Sequence, residues 1–173
     1  MSLRNKVFNL LLRLKFSVVP NHFVSKDDLF KLRFDENWVY SKKGNSFYSF
    51  HNQKDDLKGG LQFSISWYVR QPESMNEKEA VLHFIEADEK EKVDFQTVSI
   101  SNLQAIHYSR SYGDSNMNFY YWYIYHEKIF IITTYMIFDE EPDNIKGKWL
   151  KRVTDILNSL ELDIDKFQTT RMK

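Results

Sequence analysis

The stretch NFYYWYIYH, residues 118–126, places six aromatic rings in seven consecutive positions, Phe119 to Tyr125, with Ile124 the one interruption. Side chains of an extended strand alternate between faces, so Phe119, Tyr121, Tyr123 and Tyr125 share one face and Tyr120, Trp122 and Ile124 the other. The run IFIITTYMIF that follows at 129–138 is also apolar on both faces. Two adjacent strands apolar on both sides suit the centre of a sheet that helices cover above and below. The alternative is a stacking platform for a ligand, but aromatic stripes serve cores more often, and a central hairpin is expected.

The preceding segment, LQAIHYSRSY at 103–112, joins this run through GDSN at 113–116, where glycine and asparagine accept the positive φ of a hairpin turn. An antiparallel register with Gly113 opposite Asn116 sets His107 opposite Trp122, Ser109 opposite Tyr120 and Ser111 opposite Asn118 on one face. That face becomes polar towards the hairpin tip. If the covering helix stops short of it, His107, Ser109, Tyr120 and Trp122 line a groove suited to a peptide or a small amphipathic ligand.

Further strands are expected where apolar residues alternate: Phe30, Leu32 and Phe34, then Trp38 and Tyr40, then SFYSFH at 46–51. The cleanest alternation sets Leu61, Phe63, Ile65, Trp67 and Val69 against Gln62, Ser64, Ser66, Tyr68 and Arg70. KGG at 58–60 reads as a turn entering that strand. Ser74 and Glu77 have capping-box spacing, so a helix is expected from about Met75, with Val81, Phe84 and Ile85 on its apolar stripe. VDFQTVSI at 93–100 returns to strand. Pro142 and Asp143 start a last helix, with Trp149, Val153, Ile156, Leu157 and Leu160 at helical spacing. The expected fold class is α+β: an antiparallel sheet of about six or seven strands flanked by helices in an α/β/α sandwich.

A length of 173 residues fits one domain, taken as 21–173, behind an N-terminal segment 1–20. That segment carries Arg4, Lys6, Arg13 and Lys15 without an acid, and Leu3, Val7, Leu10, Leu11 and Leu14 recur at helical spacing. It reads as a basic amphipathic helix that either docks on its own domain or, through residues 1–16, lies on an anionic membrane surface. VFNLLLRLKF is broken by Asn9, Arg13 and Lys15, so it fits neither a secretory signal nor a membrane span, and a cytoplasmic location is expected.

Lysine and arginine together number 24, as do aspartate and glutamate, so no global field recruits nucleic acid, and none is expected as a partner. The chain has no cysteine, which removes disulfides and thiolate chemistry. His22, His51, His83, His107 and His126 are scattered without paired metal-ligand spacing. Asp139, Glu140, Glu141 and Asp143 precede a helix and read as caps at its positive end, since calcium-loop spacing is missing. No nucleophile elbow, phosphate loop or dinucleotide fingerprint occurs. No catalytic residue, metal or cofactor is expected.

The order of these elements resembles a known fold. The residues that carry the likeness are LRFDENWVY, GGLQFSISW, the mid-chain helix, the glycine-containing hairpin, the pair YYWYIY and IFIITTYMIF, and a closing helix ending ILNSLEL. Over residues 28 to 162 this is similar to the PsbP-like superfamily, shared by an extrinsic photosystem II protein, a Ran-binding import factor and many bacterial proteins. Within it the chain looks most like uncharacterised bacterial members of the kind found in gut Bacteroidetes. The resemblance implies a binding protein with no shared catalytic motif. The expectation is a non-enzymatic protein-binding module: an adaptor, effector chaperone or immunity-type protein with a protein partner, for which a homodimer is compatible. The alternative is a small-molecule or lipid-binding protein that touches a membrane surface.

Overall fold

A computed structural model describes residues 17–25, 28–43, 47–53, 59–67, 76–89, 93–112, 116–126 and 129–166. Of the helix expected over residues 1–20, residues 1–16 lie outside them, and Ser17–Val18 are strand instead of helix; the start of the second expected helix at Ser74 and most of the GDSN turn also lie outside. In chain order the elements are β1 (Ser17–Val18), β2 (His22–Val24), β3 (Phe30–Arg33), β4 (Trp38–Lys43), β5 (Phe47–Asn52) and β6 (Gly59–Trp67). There follow α1 (Glu77–Glu89), β7 (Gln96–Ile100), β8 (Leu103–Tyr112), β9 (Met117–His126), β10 (Ile129–Phe138), α2 (Asp143–Asn158) and β11 (Glu161–Leu162).

Eight strands form one antiparallel sheet in the order β1-β4-β5-β6-β10-β9-β8-β7, and β11-β3-β2 form a second, three-stranded one. The main sheet is thus wider than the expected six or seven strands. Part of the excess is β1, which pairs Ser17 with Tyr40 and Val18 with Val39. Val19 behind it is buried in the main apolar cluster.

The aromatic run occupies β9, between β10 and β8 inside the sheet. Its even face puts Trp122 and Ile124 into a cluster with Leu61, Phe63, Ile131 and Ile137, closed by Trp149, Val153, Ile156 and Leu157 of α2 and by Phe23, Phe30 and Leu32 of the small sheet. Its odd face puts Tyr123 and Tyr125, with Ile106 and Tyr108 of β8, against Val81 and Ile85 of α1. Each large side chain so buried contributes roughly 1.5–3 kcal/mol before entropy is counted. Both faces of β9 are covered because one helix lies on each side of the sheet. Phe119 and Tyr121, nearer the hairpin tip, are only half-buried.

Local chemistry differs from expectation at two element starts. Helix α1 is capped by Asn76 and Glu79: the Glu79 N–H donates to Asn76 Oδ1 and the Asn76 N–H to Glu79 Oε2, both at 3.0 Å. This is a reciprocal capping box two residues beyond the one read from Ser74, with asparagine as the cap. Gly59 and Gly60 are not a turn but the first residues of β6. A Cβ on Gly59 would sit 2.6 Å from both the Met136 carbonyl oxygen and the Tyr135 hydroxyl, and one on Gly60 2.9 Å from the His51 ring. Close approach excludes side chains at both.

Helix α2 starts at Pro142 with no side-chain cap. Of the acids read as lying at its positive end, Asp143 is in the first turn, whereas Asp139 accepts from Asn118 Nδ2 at 2.7 Å and pairs with Lys146 at 3.3 Å. Its far end is tied to the small sheet, where the Arg33 N–H donates to Ser159 Oγ at 2.7 Å. Among the described residues no helix is long and apolar enough to cross a membrane.

Candidate functional site

The β8–β9 register is the expected one: His107 pairs with Trp122, Ser109 with Tyr120 and Ser111 with Asn118. The four proposed groove residues nevertheless separate. Trp122 is 3 % exposed and belongs to the apolar cluster under α2, so it presents no surface to a ligand. Its row across the sheet runs Gln96, His107, Trp122, Thr133, Phe63, which sets it at the sheet's middle, where burial is deepest. Tyr120 is half-buried, its ring stacked on Tyr135 at 6.2 Å. His107 and Ser109 do reach a cleft, of about 270 Å3, lined also by Asp94, Phe95, Gln96 and Tyr108.

His107 is held in one orientation. Its ring stacks on Trp122 with centroids 4.7 Å apart and planes 18° apart. Its Nδ1 lies 2.8 Å from the Tyr121 carbonyl oxygen, which can only accept, so Nδ1 carries the proton and Nε2 is an acceptor in the neutral ring. Burial, partly opposed by that hydrogen bond, holds its pKa below the ordinary 6.5. Beneath the cleft, on the other face, Tyr108 donates to Glu89 at 2.9 Å, and Arg110 pairs with Glu89 at 3.0 Å. Burial first, then hydrogen bonds with Tyr123 and Glu89, push the Tyr108 pKa far above 10.

The main chain supplies a feature that side-chain patterns did not announce. The turn between β7 and β8 has two residues, Ser101 and Asn102, both at positive φ (49° and 68°), as in a type I′ hairpin. Ile100 and Leu103 are therefore a hydrogen-bonded pair, and antiparallel alternation makes Val98–Ala105 and Gln96–His107 the next two. Ser109 and Ser111 would continue the series, but β7 begins only at Gln96, three residues after the strand expected from Val93. The N–H and C=O groups of Ser109 and Ser111 on that side have no described main-chain partner. The cleft is the notch where β7 leaves off and β8 runs on alone.

A buried pair also escaped the pattern reading: Ser49 Oγ lies 2.9 Å from His51 Nε2 on β5. Both residues are under 10 % exposed and line none of the described clefts, so the contact pins two buried polar groups on the face of β5 opposite Tyr48 and Phe50. Among the described residues no group of three or more histidines and carboxylates could hold a metal ion.

No family model and no curated protein matches this chain. Solved structures do. A Bacteroides thetaiotaomicron VPI-5482 protein superimposes with a TM-score of 0.60 at 14% identity, over 82% of this chain and 48% of that one. The chain therefore spans about half the length of that protein. The Ran-binding protein Mog1p of Saccharomyces cerevisiae matches with a TM-score of 0.55 at 8% identity, over 84% of this chain and 96% of Mog1p. PsbP from the cyanobacterium Synechocystis sp. PCC 6803 matches at 0.51 and 9% identity, over 86% of this chain and 93% of that one. The fold is PsbP/Mog1-like. At these identities the likeness carries the PsbP/Mog1 architecture, and no residue of a partner's site is transferred with it.

Proposed function

We propose that the protein is a non-enzymatic binding module, an adaptor, effector chaperone or immunity-type protein, that captures an extended segment of a protein partner in the notch beside β8. The observation that carries this reading is the open stretch of β8, where Ser109 and Ser111 offer main-chain donors and acceptors next to a small cleft. Strand addition works in this way: backbone hydrogen bonds give affinity, and a neighbouring pocket selects a side chain. Asp94, Gln96, His107 and Ser109 line the cleft with polar groups, the Asp94 carboxylate among them, which favours a partner side chain that donates. A volume of about 270 Å3 is too small for most drug-sized ligands, which favours a side chain over a small molecule. The Ran-binding Mog1p supports the reading only as a case of this fold in a protein-binding role.

The test is a photo-crosslinking residue at Ser109 in the native host, with the same residue at exposed Lys148 as control. A partner captured at 109, and lost when Ser111→Pro removes the outward N–H, supports strand addition. Equal capture at both positions, or capture at 109 that survives Ser111→Pro, rules it out.

A further inference from the structure

Among the described residues the outermost strand, β7, carries none of the charges, prolines or bulges that keep a sheet edge solitary. Its sequence is Gln-Thr-Val-Ser-Ile: no charge, no proline, no glycine, and an unbulged register with β8. Gln96, Thr97 and Ser99 are exposed and Val98 is half-buried. By the alternation set at the Ser101–Asn102 turn, the groups of Gln96, Val98 and Ile100 point to β8, and those of Thr97 and Ser99 point outward. No described residue hydrogen-bonds them.

We propose that β7 pairs with β7 of a second copy of this chain, antiparallel, about a twofold axis through Val98. The register follows from the edge itself. An antiparallel neighbour must bring its own outward groups to Thr97 and Ser99, and a second β7 carries them at the matching spacing. With Thr97 opposite Ser99 of the partner subunit, all five residues pair and every outward group is satisfied. Val98 then faces its own copy at a non-hydrogen-bonded position, where Cα atoms approach to about 4.5 Å. The hydroxyls of Thr97 and Ser99 lie side by side, a favourable cross-strand pair, and no like charges meet because the strand has none. The contact is isologous, so it closes as a dimer instead of growing into a fibre. It also brings the partner's Ser101 turn beside Phe95, itself 40% exposed, and so walls the outer side of the cleft. This goes beyond partner capture, which uses β8 and not β7.

Sedimentation velocity of the full chain over a dilution series tests the dimer, and cysteine pairing tests its register. A reversible monomer–dimer equilibrium is expected. Thr97→Pro, which removes an outward N–H but no β7–β8 bond, should weaken it at least about tenfold. In this cysteine-free chain, Val98→Cys should form a disulfide-linked dimer under mild oxidation faster than Ser99→Cys, whose copies lie diagonally. A monomer at every concentration overturns the proposal. So does a dimer indifferent to Thr97→Pro, or one in which Ser99→Cys crosslinks as fast as Val98→Cys. If Thr97→Pro fails to fold, as read by thermal unfolding, the cysteine comparison decides alone.

Discussion

The two edges of the eight-stranded sheet are finished in opposite ways. At one, β4 begins at Trp38, 1% exposed, whose indole N–H donates to Asp35 Oδ1 at 2.5 Å. Arg152 of α2 pairs with the other Asp35 oxygen at 2.5 Å and lays its guanidinium over Trp149 and Trp38, 4.6 and 5.7 Å from their ring centroids. The two-residue β1 covers Val39 and Tyr40, and beyond it come Lys42 and Lys43. At the other edge β7 is uncharged and exposed, and β8 outruns it. One edge is anchored to the core, while the other, among the described residues, presents bare main chain. Two edges of one sheet can thus differ wholly in whether they invite a neighbour.

The sharpest way to break this contrast is Trp38→Ala. Loss of a buried indole should cost about 3–5 kcal/mol in urea unfolding, whereas Thr97→Pro at the open edge should stay within about 0.5 kcal/mol for the monomer. Comparable costs would show that the anchored edge is not anchored by Trp38. Next comes Arg152→Ala, expected to lose about 1–2 kcal/mol through the guanidinium's packing on two indoles. A change within the scatter of ordinary surface variants would remove Arg152 from the seal.

Acid should act on both ends of the sheet through histidine. Burial holds His51 and His107 below the ordinary 6.5, so as pH falls past that value the unfolded chain takes up protons before the folded one. Stability is therefore full above 6.5 and declines as pH falls towards the lower folded values. His107→Gln should flatten part of that decline in denaturation curves taken between neutral pH and about pH 5. An unchanged slope would assign the acid sensitivity elsewhere. The smallest effect on stability belongs to Lys42→Thr with Lys43→Thr, within about 0.5 kcal/mol, yet light scattering should report new self-association if these lysines guard their edge.

Much of this architecture is legible in the sequence because it rests on period and turn chemistry. The two-faced β9 follows from rings at consecutive positions, and its register with β8 from GDSN alone. The stripe Trp149, Val153, Ile156, Leu157, Leu160 is buried along its whole length. The burial of Trp122 was not legible, since residues on one strand face look alike until the depth of each row in the sheet is known. The notch was hidden for a related reason. Val93 to Phe95 have strand composition, and nothing local says that pairing begins at Gln96. The Ser101–Asn102 turn lacks the glycine that usually marks a hairpin, because its conformation is enforced from a distance.

That enforcement bears on how the chain matures. Ser101 Oγ donates to the Leu160 carbonyl, and the Ser101 N–H reaches Asn158 Oδ1 at 3.4 Å, partners 59 and 57 residues further along the chain. A serine at positive φ is disfavoured when such partners are missing. During synthesis the β7–β8 hairpin emerges well before α2, so its latch arrives only when the C-terminal end of the domain has left the ribosome. The positive-φ serine of the open edge's turn thus has its partners only once the segment after α2 is in place.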